Sequence, residues 1–249
     1  MSNKKCILVF IKFPDKGNVK SRLSQVFDAD TVSSLYECFV FDLLETLGKG
    51  RYHVKICFSP PEAYDRVVRW IGKGYTCMPQ KGKDLGKRMK NAFLDTFAEG
   101  FSEVLLIGSD IPDLTMEVLH EAFAFDRYDA SIGPASDGGY YLIGFTDKTF
   151  LPEIFKEIAW GTGTVFKQTM KLLKRHRLTV RVLPVLHDVD RPEDVQALYL
   201  RCRDAECAAT STMRFLSANA EKLFRKMPLS PHLRRGRKKK EDILDIEQP

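Results

Sequence analysis

The sequence predicts an α/β fold, a doubly wound and mainly parallel central sheet with helices on both faces, Rossmann-like in plan. Three observations lead there. Short apolar runs alternate with segments of helical periodicity over roughly the first 200 residues. Several runs, Cys6 to Ile11 and Val104 to Ile107 above all, are continuously apolar, as strands buried on both faces require. The polar stretches that carry glycine and charge fall directly after such runs, where a parallel sheet gathers its ligands.

Cys6 to Phe13 reads as the first strand, ended by Pro14, and a polar loop follows to Arg22 with Gly17 for a turn. Val32, Leu35, Phe39, Leu43 and Leu47 recur at helical spacing, and Gly48 closes that helix. His53 to Phe58 is a second strand, stopped by Pro60-Pro61; a short helix with Trp70 runs over Ala63 to Ile71. Tyr75 to Met78 is a third strand. The loop Gln80 to Met89 opens a helix that continues through Phe97, so its free N–H groups are placed to meet an anion or a nucleobase. Val104 to Ile107 is the central strand. Gly108 permits a turn, Pro112 blocks further strand, and Thr115 suits the N-cap of a helix from about Met116 to Phe125. Asp129 to Pro134 and the aromatic-rich Tyr140 to Phe145 are strands joined by a tight turn at Asp137-Gly138-Gly139. Leu151 to Glu157 reads as a short helix, Thr164 to Arg175 as a longer one, Thr179 to Leu183 as a strand. Pro192 suits the first turn of a helix reaching Arg203, and Ser211 to Phe224 forms one more. The domain organisation expected is one α/β domain over residues 1–203 and a helical, partly disordered basic extension over 204–249.

The chain has 249 residues, 44% of them hydrophobic, enough for one large core. Its net charge is +6, and Arg234, Arg235, Arg237, Lys238, Lys239 and Lys240 account for all of it. The body is therefore near neutral, and no nucleic-acid-binding motif accompanies the basic run. The six cysteines form no Cys-x-x-Cys pair; they read as reduced, mostly buried thiols of a cytoplasmic protein. The first apolar run is too short for a signal peptide or a membrane span, and no other segment reaches spanning length. There is no Walker loop, no Rossmann glycine fingerprint and no Gly-x-Ser-x-Gly elbow, and the five histidines are scattered, which excludes a histidine triad.

The chemistry-bearing residues form a phosphate-and-metal constellation. Asp110, just past the central strand, is placed to hold a divalent cation and through it a diphosphate. Lys12, Lys16, Lys20 and Arg22 put four cations in or beside the first loop, suited to phosphate by charge and by bidentate guanidinium contacts. Asp137-Gly138-Gly139 offers a carboxylate on tightly turned chain for a sugar or a metal. Trp160-Gly-Thr-Gly-Thr164 is a flexible ligand lid with one aromatic. Asp188 and Asp190 are spaced to approach one cation, or to cap the helix after them.

These stretches carry a family resemblance. Phe13-Pro-Asp-Lys-Gly-Asn-Val-Lys-Ser-Arg-Leu23, Asp84-Leu-Gly-Lys-Arg-Met89, Ile107-Gly-Ser-Asp-Ile-Pro112 with Gly133-Pro-Ala-Ser-Asp-Gly-Gly-Tyr-Tyr-Leu-Ile-Gly144, and Asp188-Val-Asp-Arg-Pro-Glu-Asp194 together resemble the bacterial radical-SAM/selenodomain-associated transferases. These are also described as arsenosugar-biosynthesis-type glycosyltransferases, of the nucleotide-diphospho-sugar transferase superfamily with the GT-A fold. Ser21 and Arg191 stand where threonine is usual. The resemblance implies Mg²⁺ or Mn²⁺ held by Asp110 with Asp188 or Asp190. It implies a nucleotide and phosphate site made by Lys12, Pro14, Gly17, Lys20, Arg22, Asp84 and Arg88. It implies a sugar and acceptor site made by Asp137, Gly138, Gly139 and Trp160; Asp110 and Asp137 are the candidate catalytic residues, Asp137 as the acceptor base. The function implied is metal-dependent glycosyl transfer from a nucleotide sugar to a small-molecule acceptor. The alternatives are nucleotidyl transfer to a phosphorylated small molecule with pyrophosphate release, and non-catalytic nucleotide binding.

Overall fold

The computed structural model describes residues 4–203 and 210–224. Its sheet grows outward from β1 (Lys5–Lys12). Because successive side chains of a strand point to opposite faces, the apolar run splits evenly: Ile7, Val9 and Ile11 enter one core and Cys6, Leu8 and Phe10 the other. Strands flank it on both edges, β2 (His53–Ser59) and β4 (Glu103–Gly108), each parallel to it. β3 (Thr76–Pro79) extends the β2 side. β6 (Tyr140–Thr146), β5 (Ala130–Pro134) and β7 (Val180–Val182) extend the β4 side, giving the order β3-β2-β1-β4-β6-β5-β7.

The α/β class, mainly parallel with helices on both faces, is as the sequence predicts, with one strand reversed. β6 runs antiparallel to β4 and β5. The cause is local: β5 returns through the turn at 135–139 instead of through a helix, and a connection that short can only join antiparallel strands. The chain moves outward from β1 to β3, then crosses back to β4 on the other side of β1. The strand order thus switches between β1 and β4, and their carboxyl ends open a crevice there.

α1 (Ala29–Gly48), α2 (Tyr64–Ile71), α4 (Met116–Ala122) and α6 (Pro192–Cys202) cover the face of Ile7, Val9 and Ile11. α3 (Leu85–Ala98) and α5 (Val165–Arg175) cover the other. There Phe93, fully buried, packs its ring 5.1–6.0 Å from Phe97, Phe145, Phe150 and Phe155; burying one such side chain is worth about 1.5–3 kcal/mol.

The last described segment differs from the single helix expected. It forms α7 (Ser211–Ala218) and α8 (Ala220–Phe224), parted at Asn219, whose side-chain amide donates to the Phe215 carbonyl and competes with the helix ladder. α7 is seated on α1 by buried Met213 and Leu216 and by Asp42, a buried carboxylate that accepts from the N–H groups of Ser211 at 2.7 Å and Thr212 at 2.8 Å. Asp42→Ala leaves both donors unpaired, so it is expected to cost about 1–3 kcal/mol, and Asp42→Asn, which keeps one acceptor oxygen and turns an NH2 donor toward the other N–H, recovers at most part of it. Thermal melts of the two variants check this; equal melting temperatures for wild type and Asp42→Ala would refute the anchoring role.

Two smaller departures concern Leu151 to Glu157 and the cysteines. The first is a 3₁₀ turn over Pro152–Phe155. Cys202 is disulfide-bonded, against the expectation of six reduced thiols, whereas Cys6, Cys38, Cys57 and Cys77 are free. The basic run 234–240 lies outside the described residues. No helix among the described residues is long and apolar enough to cross a membrane.

Candidate functional site: a cleft at the strand switch point

The carboxyl ends of β1 and β4 border a cleft of about 570 Å³. Four sets of contacts bring distant parts of the chain to it. Ser109 and Asp110 follow β4 directly, and the Asp110 carbonyl accepts from the Val189 N–H at 2.9 Å, which places the 188–190 loop beside the end of β4. Asp194 pins that loop from the start of α6 by accepting from the N–H groups of Asp190 and Arg191 at 3.0 and 2.7 Å. Arg201 holds Asp113 at 2.7 Å and so ties the far end of the Asp110 loop to α6. Ser136 N–H donates to the Leu186 carbonyl at 3.0 Å, which lays the turn at 135–139 along the same rim.

Under Asp110 lies Tyr36 of α1. Its hydroxyl accepts from the Lys12 N–H at 3.0 Å and bonds the Ser109 hydroxyl at 2.8 Å, linking the ends of β1 and β4. Burial, with the nearby Asp110 charge, pushes its phenol up to about 12, so it stays a neutral strut.

The centre of the cleft is an ion triad. The Lys20 ammonium lies 2.5 Å from Asp110 and 2.9 Å from Asp190, and Arg22 reaches the other Asp190 oxygen at 3.2 Å. The Lys20 side chain is 4% exposed. Burial opposes its charge, but Asp110 and Asp190 prevail and hold its pKa above the ordinary lysine value. Burial likewise opposes the Asp190 charge, and Lys20 with Arg22 prevails to hold its carboxyl below the usual range. Asp188 goes the other way. It is raised by burial and by the charge of Asp137, with Ser136 offering a partly offsetting hydrogen bond at 3.2 Å.

Of the residues the sequence singles out, the cleft gathers Lys12, Lys20, Arg22, Arg88, Asp110, Asp137, Gly139, Trp160, Asp188 and Asp190. Pro14, Gly17, Asp84 and Gly138 lie outside its lining. Pro14 offers its carbonyl to Ser33. Asp84 is the N-cap of α3, accepting from the Lys87 N–H at 2.7 Å, so its carboxylate is spent on the helix end. Gly138 supports the site from behind: its φ is +88°, its carbonyl accepts from the Phe166 N–H at 2.9 Å, and a β-carbon there would collide with the Gly163 carbonyl. The turn and the Trp160 loop are therefore interlocked. Trp160 meets the Tyr140 ring edge-on at 6.3 Å and lies over Gly86, where a β-carbon would come within 2.7 Å of its indole nitrogen.

Sequence reasoning missed Tyr36, Ser109, Leu85, Met89 and Tyr140 as lining residues. Leu85, Met89 and Tyr140 add apolar surface to the lining that holds the ion triad. Gln80 also lines it; its amide nitrogen donates to the carbonyls of Ile11 and Cys57, which fixes the side-chain orientation. The lining thus combines ionic side chains with aromatic and aliphatic ones, a mixture suited to a charged group joined to a flat or ring-shaped one.

Asp110 and Asp190 are the carboxylates that converge on one cation, the Lys20 ammonium. Among the described residues no group of three or more His, Cys, Asp or Glu is placed to hold a metal alone. The pair nonetheless fits Mg²⁺ or Mn²⁺, hard cations that take one or two carboxylates and complete their shell with phosphate oxygens and water.

Comparison with known proteins follows the same lines. The family described as uncharacterized proteins conserved in bacteria, DUF2064, matches residues 43–162, from within α1 through β6 to the Trp160 loop. No curated protein matches the chain. Two solved structures share the fold alone, each 11% identical. One is the 4-diphosphocytidyl-2C-methyl-D-erythritol synthase of Anaerococcus prevotii DSM 20548, with a TM-score of 0.52 over 80% of this chain and 100% of its own. The other is a cytidylyltransferase of Leptospira borgpetersenii serovar Hardjo-bovis, with 0.50 over 91% and 99%. A protein of Desulfovibrio desulfuricans G20, provisionally assigned as a nucleotide-diphospho-sugar transferase, is 39% identical over 92% of this chain and 100% of its own, with a TM-score of 0.88. With that identity over nearly its whole length, the chain belongs to the family of this nucleotide-diphospho-sugar transferase.

Proposed function

We propose that the protein is a glycosyltransferase that moves a sugar from a nucleoside-diphosphate donor to a small acceptor, as in the radical-SAM-associated transferases its sequence resembles. The observation that carries this reading is the ion triad at the strand switch point, two carboxylates on one cation beside a basic loop, in a cleft also lined by apolar and aromatic side chains.

In this reading the nucleotide lies across the ends of β1 and β4. Lys12, Lys20, Arg22 and Arg88 hold the diphosphate, whose negative charge grows as the bond from the anomeric carbon to its oxygen breaks. Asp110 and Asp190 would hold a divalent cation, which would supply Lewis-acid stabilisation of that charge. Asp137 faces the acceptor. One of its oxygens is fixed by the Gly139 N–H at 2.7 Å, and the other is left to take the acceptor proton as the new bond to the anomeric carbon forms. Trp160 and Tyr140 give the sugar an aromatic wall.

Products decide the reaction class. A panel of nucleotide sugars incubated with the protein and Mg²⁺ or Mn²⁺ is expected to release nucleoside diphosphate. Release of pyrophosphate from a nucleoside triphosphate in the presence of sugar phosphates would replace this reading by nucleotidyl transfer. The phosphate site has its own test. Lys20→Ala with Arg22→Ala is expected to raise the Kd for nucleoside diphosphate about 10- to 100-fold, by loss of charge-assisted hydrogen bonds, and to leave the Kd for the bare nucleoside unchanged. Calorimetric titration with both ligands checks it; equal losses would make the loop a structural element only.

A further inference from the structure

We infer that Lys20 is a tethered counter-cation that occupies the metal position of the nucleotide-free protein and makes metal binding follow, or accompany, the nucleotide. Three observations converge. The ammonium lies within hydrogen-bond distance of Asp110 and of Asp190, the two carboxylates that would hold the metal. The side chain is almost fully buried although lysine ordinarily keeps its charge in water. The backbone at Lys20 has φ +49°, in the left-handed region that side-chain-bearing residues seldom adopt. The chain is thus bent at a cost to bring this one charge between the two acids.

The consequence is competition. A free divalent cation must displace a buried ammonium that already satisfies both carboxylates, and its apparent affinity falls accordingly. A diphosphate changes the balance, because it gives Lys20 an anionic partner of its own and frees the carboxylates for the metal. Binding of the two then becomes mutually reinforcing, and by linkage each raises the affinity of the other equally. The nucleotide half of this argument rests on the transferase reading; the competition between Lys20 and metal does not.

The test uses Mn²⁺ alone, with the free aquo-ion followed by electron paramagnetic resonance, so it needs no substrate. Wild type is expected to bind Mn²⁺ weakly. Lys20→Met, close in length and uncharged, is expected to bind at least about tenfold tighter, and adding Asp190→Asn to it to abolish the gain. Lys20→Gln serves if the Met variant fails to fold, and Lys20→Arg, which keeps the charge, is expected to stay weak. Tight Mn²⁺ binding by wild type that is lost in Asp110→Asn would overturn the inference, as would equal affinities in wild type and a folded, uncharged Lys20 variant. Absence of turnover with nucleotide sugars would count against the transferase reading and leave these affinities interpretable.

Discussion

Asp110→Asn is expected to lower kcat/KM by about 10²- to 10³-fold, the scale at which loss of a group stabilising transition-state charge is felt, while the fold is kept. The side chain is 49% exposed, so little packing is at stake. Its backbone carbonyl, which receives the Val189 N–H, is untouched by the change. Asparagine has the same size but no charge, so Lys20 keeps Asp190 as its ionic partner and the proposed metal site loses one of its two carboxylates. Steady-state kinetics with a donor found in the nucleotide-sugar panel, beside a thermal melt, separate the two effects. Activity within twofold of wild type would remove Asp110 from the chemistry. A large fall in melting temperature would make it a structural group instead.

Gly138→Ala is expected to damage both stability and binding. Two costs combine there. The φ of +88° is unfavourable for any side chain, and the added carbon meets the Gly163 backbone, which cannot swing aside as a flexible side-chain end would. Relief requires parting the turn at 135–139 from the Trp160 loop, which displaces Asp137 and the aromatic wall together. A loss of about 2–4 kcal/mol is expected, with weaker donor binding. Gly17→Ala is the control, since Gly17 has a similar φ of +79° but nothing within 4 Å of its β-carbon, so only the backbone cost applies. If melts and titrations show the two variants equally affected, the interlock between turn and loop is not what the glycine serves.

The frame of the fold is legible in the sequence because it is local. The apolar runs that become β1 and β4 have no polar face, and only a doubly covered sheet buries them. The polar stretches after them mark the ligand edge for the same reason. What escaped reading depends on distance. Lys20 meets Asp110 and Asp190 across most of the chain, and spacing along the sequence carries no trace of it. Tyr36 carries no signal in the spacing of α1, and only the assembled sheet shows its hydroxyl joining Lys12 to Ser109. Asp84 is expected in the nucleotide site, and only the folded chain shows its carboxylate accepting from the Lys87 N–H at the start of α3. The spacing of Asp188 and Asp190 leaves both open as partners of Asp110; in the fold Asp190 joins the triad and Asp188 turns to Ser136 and Asp137. The split between α7 and α8 rests on the side-chain bond of Asn219, which periodicity does not register.

The central claim is that the basic loop and the carboxylate pair together receive a diphosphate. Calorimetric titration of wild type with ADP, CDP, GDP, TDP and UDP, each beside its parent nucleoside and with and without Mn²⁺, addresses it most directly. The account predicts one diphosphate that binds at least about 100-fold tighter than its nucleoside, with an affinity that rises when the metal is added. A nucleoside that binds as tightly as its diphosphate, or a diphosphate affinity indifferent to metal, would contradict it.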